Sequence, residues 1–230
     1  MKLVQFCLFV LLLGCKTNDK KPLIPKDETS EAEKRNTLFA FVGEKISVQL
    51  LPQDSGSWDG KFEGKYKILE RIYGDYPKDT IEFKAYDHYG IPGFSHYKNA
   101  LLFVSEYKGK YYHEKYQYFD VYLTKENRWA GTYNDHEDYG KIKPEKIAFA
   151  DSVYLQTKIM NNAGEVVDLN YSPPYYRIID DKAYPLYGNY VEDLFAIKKN
   201  GVLKWRGLFG KGNENWQDSL VNTKLEEIKR

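Results

Sequence analysis

The chain has 230 residues, 16% of them aromatic with 21 tyrosines, and it carries 34 Lys and Arg against 33 Asp and Glu. That length suffices for one large domain or two small ones, and the near-zero balance speaks against a nucleic-acid partner, whose binding leans on a basic face that neutralises phosphate. Both cysteines, Cys7 and Cys15, lie at the extreme N-terminus, so the body beyond them forms no internal disulfide and is held by packing.

Met1 and Lys2 make a short positive start, and Leu3 to Leu13 is apolar apart from Gln5. A spanning helix needs about 20 apolar residues, so this run reads as the h-region of a signal peptide rather than a permanent anchor. It ends Leu12-Leu13-Gly14-Cys15, which resembles the lipobox of bacterial lipoproteins, with Leu13 bulkier than the commonest residue at its position. The resemblance implies removal of residues 1–14, a diacylglyceryl group on the Cys15 sulfur and a palmitate-type acyl chain on the new amine. The alternative is a conventional signal peptide followed by an ordinary Cys15 thiol. Several acyl chains, at about 0.8 kcal/mol per buried methylene, hold a protein on a membrane persistently. Lys16 does not look like an inner-membrane retention signal, so the resemblance points to the outer membrane and leaves the leaflet and face open. Without Lys2 the mature side chains balance at 33 of each sign.

Residues 15–37 hold two prolines, dense charge and little to bury, the composition of a disordered tether. Its mean reach is roughly 28 Å, enough to hold a domain clear of the headgroups. From Leu38 short apolar runs alternate with Gly, Pro, Asn and Asp, which predicts strands near Leu38–Leu51, Gly64–Tyr73, Thr80–Tyr86, Ala100–Tyr107, Lys110–Gln117 and Phe119–Thr124. Lys108-Gly109 closes a hairpin, and Gln53–Gly60 and Gly74–Asp79 are loops. Further on, strands are expected near Val153–Ile159, Tyr176–Ile179 and Ala183–Leu186, with a turn at Asp180-Asp181-Lys182. A helix follows, with Asn189 as cap, Glu192 completing a capping box and Gly201 as a left-handed stop. A second helix is expected from about Glu214 to Lys229. The predicted class is mainly β with a few helices (α+β), divided into a β-barrel over 38–139 and a mixed extension over 140–230 packed on it.

The order Phe41–Val48, Lys65–Glu70, Tyr73-Gly74-Asp75, Asp79–Phe83 and Tyr97–Val104 resembles the bacterial relatives of the netrin and metalloproteinase-inhibitor fold. The likeness covers about Leu38 to Leu123 and implies a five-stranded OB-type barrel. It does not carry the inhibitory mechanism across. That mechanism needs a free N-terminal cysteine presented to a protease zinc, whereas Cys15 is expected to be acylated and stands about 22 residues before the first strand.

Candidate chemistry is thin. Asp87, His88 and His96 bracket a turn-rich loop long enough to fold back on a metal, which needs three or four converging ligands; surface histidines on a connection are the plainer reading. His113-Glu114 begins like a metalloprotease motif, but Gln117 stands where the second histidine belongs. Asn134 to Asp138, with Asp135, His136 and Glu137 between, concentrates acid that suits calcium, yet lacks the alternating ligands of an EF-hand loop. Ser95 precedes His96 without a nucleophile elbow. The run Tyr111 to Tyr122 places Tyr112, Tyr116, Tyr118 and Tyr122 on one face if strand pairing is unbroken, as buried core or as a surface that stacks on sugars or holds a protein. No catalytic residue, metal or cofactor stands out. The sequence is therefore read as a non-enzymatic binding or structural lipoprotein of the envelope with a protein or glycan partner; the alternative is an envelope hydrolase acting on glycan or peptide, whose carboxylates converge only in the fold.

Overall fold

The computed structural model describes residues 37–52, 56–133, 142–160 and 164–209. Cys15 and the tether up to Asn36, Gln53 to Ser55 of the first loop, the Asn134 to Asp138 acid run and the helix expected at Glu214 to Lys229 lie outside them.

The first half is an OB-like barrel. Strands β1 (Thr37–Leu50), β2 (Gly60–Tyr73), β3 (Thr80–Asp87), β4 (Asn99–Tyr107) and β5 (Lys110–Asp120) close in the order β1-β2-β3-β5-β4, antiparallel except for β3 beside β5. Closure removes most of the unpaired edge that an open sheet would expose. Alternation along the strands sends one set of side chains inward: Phe39, Phe41, Tyr66, Ile81, Phe83, Leu102 and Val104 fill the interior. Gly64 makes room there, because a Cβ on it would sit 2.7 Å from the Phe83 ring. A 3-10 turn over Gly93–His96 then drops Phe94 into the barrel, 4.5 Å from His113 ring to ring.

The opposite faces of β1, β4 and β5 are apolar too, which is why the barrel needs a second layer. Helix α1 (Val191–Asn200) buries Val191, Leu194 and Ile197, and the short α2 (Val202–Trp205) buries Leu203, against Leu38, Ala40, Val42, Leu101, Phe103, Phe119 and Val121. At about 1.5–3 kcal/mol per fully buried aliphatic side chain, these contacts are a large share of what holds the C-terminal part in place. Phe195 of α1 is half-buried and packs against the same core.

The remaining strands are short. β6 (Tyr122–Leu123), β7 (Trp129–Thr132) and β8 (Glu145–Lys146) join β14 (Tyr187–Tyr190) in one sheet; β9 (Leu155–Gln156) pairs with β13 (Lys182–Pro185), itself paired to β12 (Tyr176–Ile179); and β10 (Lys158–Met160) pairs with β11 (Val166–Asp168). Two turns carry positive φ at both central residues, Lys108-Gly109 and Asp180-Asp181, the twist that two-residue hairpins require.

Several sequence expectations change. The segment Lys110 to Thr124 breaks at Val121 and not at Tyr118, and Val153 to Ile159 contributes to two strands instead of one. The capping box does not form: Asn189 is buried in β14, its amide donating to the Lys143 carbonyl, and Tyr190 stands at the helix start without a side-chain cap. Gly201 does end α1, by donating its N–H to the Ile197 carbonyl, but at φ −102° it is not left-handed.

Candidate binding groove at the barrel mouth

β1 is longer than either neighbour needs. It pairs with β4 only as far as Glu44 and with β2 as far as Leu50. Beyond the Lys45 N–H, which donates to the Lys98 carbonyl at 2.8 Å, the two strands part. A cavity of about 600 Å³ opens there, lined on one wall by Lys45, Ser47, Val48 and Leu50 and on the other by Asp87, His88, Gly90, Ile91 and Ser95, with Phe62 at its base. Leu50 and Ile91 are 70% and 64% exposed, and the bordering connections carry Trp58 and Tyr89 at 87% and 82%. Large apolar side chains gathered so openly around a concavity are the usual mark of an interaction site.

The ionisable side chains of the groove each have a partner within the protein. The Lys45 ammonium donates to the Ser95 carbonyl at 2.7 Å and ties the 3-10 turn to β1. Asp87 Oδ1 accepts the Tyr89 N–H at 2.8 Å, an Asx turn that shapes the loop. His88 Nδ1 lies 3.3 Å from Asp59, which also receives Lys115 Nζ at 2.5 Å. Of the metal set suggested by sequence, Asp87 and His88 line the groove but His96 is exposed at the far end of the turn and does not. Among the described residues no three His, Cys, Asp or Glu side chains converge.

The tyrosine run does not form one face. Val104 pairs with His113 and Leu102 with Tyr118, so Phe103 of β4 spans the four residues Glu114 to Gln117 of β5. This wide bulge puts Tyr116 at φ 65° and turns it outward, its hydroxyl accepting the His88 N–H at 3.4 Å. Tyr112 is buried, whereas Tyr118 and Tyr122 are half-buried. Tyr122 donates to Asp120, whose carboxyl is held above the ordinary range by burial. His113 and Glu114 therefore belong to a strand and not to a helix. His113 Nε2 lies 2.9 Å from the Gln117 carbonyl. Glu114 accepts from Ser105 Oγ at 2.5 Å and from Arg206 at 2.9 Å, both members of the ion pair being 5% exposed. A second Arg206 nitrogen donates to the Lys115 carbonyl at 2.9 Å.

Sequence reasoning missed Lys45, Ser47, Val48, Leu50, Phe62 and Ile91 as one lining. The available signal was a strand that continues past its partner. Set against known protein families, curated proteins and solved structures, the chain matches none of them.

Proposed function

We propose that this chain is a lipid-anchored binding module of the bacterial cell envelope, held to the outer membrane through Cys15 and engaging a partner at the mouth of its barrel. The observation that carries the reading is the groove itself: an open, largely apolar cavity with exposed Leu50 and Ile91 on its rim and its charged groups already answered internally. Such a wall favours recognition over bond-breaking, because proton transfer calls for a group poised to reach the substrate. The lipobox Leu12-Leu13-Gly14-Cys15 supports the membrane address, and among the described residues no helix is long and apolar enough to cross a bilayer.

A photo-crosslinking amino acid at position 91 in intact cells tests this. Discrete adducts that excess soluble chain competes away are expected from position 91 and not from position 178, which is also exposed but in β12. Equal yields from the two positions overturn the reading.

A further inference from the structure

The groove is bounded by a strand edge as well as by side chains. The Leu51 N–H donates to the Lys61 carbonyl at 2.8 Å, and the register pairs Gln49 with Glu63 and Ser47 with Lys65. In an antiparallel ladder the hydrogen-bonded pairs alternate, so Ser47, Gln49 and Leu51 turn their backbone groups to β2. Val48 and Leu50 turn theirs the other way, toward the side that β4 has left. Among the described residues no strand pairs with that edge beyond Glu44.

We infer that the groove accepts an extended segment of a protein partner, added as a strand to the Val48–Leu50 edge with apolar side chains at alternate positions entering the cavity. The inference rests on the binding reading above and deepens it by naming the occupant. Strand addition takes affinity from main-chain hydrogen bonds and selectivity from pockets for every second side chain. Both elements are present. The pairing edge lies beside Val48, Leu50, Phe62 and Ile91, and Gly90 at φ 123° has open space beside it. Charge complementarity points the same way: the lining carries one ammonium, Lys45, and one carboxylate, Asp87, each held by a backbone group, so its charges balance and suit a neutral strand. The chain's own tether is a poor occupant, since its adjacent apolar residues Leu23 and Ile24 sit between Pro22 and Pro25, and proline cannot donate to a ladder.

The test is amide exchange followed by NMR on the full chain in detergent micelles. The probe is a nonapeptide alternating Val and Thr, compared with the same peptide N-methylated along one edge. In the free chain the Val48 and Leu50 amides are expected to exchange quickly, slowing at least about tenfold with saturating peptide. The N-methylated peptide is expected to bind at least about tenfold more weakly, near 1.4 kcal/mol. Leu50→Pro, tolerated because that N–H faces away from β2, is expected to bind at least about tenfold more weakly than Leu50→Ala, which removes the same apolar contact but keeps the N–H. Equal binding of both peptides overturns strand pairing and leaves a groove that binds by side chains alone. Val48 and Leu50 amides already slow without peptide overturn it too, in favour of a second copy if dilution releases them and of the chain's own tether if it does not. No response to peptide while position 91 still gives competed adducts removes only the strand; loss of both removes the binding reading as well.

Discussion

His113 lies against Phe94 and near Phe83, buried, with Nε2 beside the Gln117 carbonyl. Burial pushes its pKa down from 6.5 to about 3, so the folded state keeps the ring neutral. The unfolded chain binds the proton first on acidification. The stability tied to this neutral ring is therefore complete above pH 6.5 and is lost as pH falls from there toward 3, at up to about 1.4 kcal/mol per pH unit. Replacing the ring by one that cannot charge, His113→Phe, is expected to flatten urea-unfolding stability between pH 6.5 and 4 by about that slope. An unchanged slope shows that His113 is not the group responsible. None of this was visible in the pair His113-Glu114, because burial depends on Phe94, which comes from a separate turn.

At the scale of elements the bulge in β5 is the telling case. Tyr111 to Tyr122 was expected to present one tyrosine face only if pairing ran unbroken, and local pattern alone does not announce a register shift of this size. What holds it open is distant in sequence: Arg206 is 92 residues from Glu114, and Asp59 is 56 from Lys115. The hairpin joining β4 to β5 was legible from the Lys108-Gly109 turn between two strand-forming runs. The capping box expected at Asn189 does not form, because the residues with the cap pattern are taken by a sheet. The Glu114–Arg206 pair pins the end of α2 to the barrel wall. Arg206→Met leaves a buried carboxylate without its cation and is expected to cost about 3–5 kcal/mol in urea unfolding. The double variant Arg206→Met with Glu114→Gln is expected to recover most of that loss. If the two single losses simply add, the pair is not coupled.

For the whole molecule, β1, β4 and β5 serve two cores at once, Phe39 and Phe41 facing inward while Leu38, Ala40 and Val42 face α1 and α2. The mainly β class and the barrel in the first half were readable from strand spacing. The groove was not, since its lining comes from three stretches, Lys45 to Leu50, Gly60 to Phe62 and Asp87 to Ser95, which only closure of the barrel brings together. The proposed membrane address is checked by intact mass: native material is expected to begin at Cys15 and carry acyl chains, and Cys15→Ala to lose them and appear in the soluble fraction. An unmodified thiol, or retention of Met1 to Gly14, removes that address.

β1 begins at Thr37, the end nearer Cys15 along the chain, and the groove edge lies at its other end, at Leu50. Under the proposed function, tension between the lipid anchor and a captured partner runs along one continuous backbone. The rungs between the Val48–Leu50 edge and the added strand would lie across that pull and share it in shear, so the joint would resist as a set instead of unzipping one rung at a time.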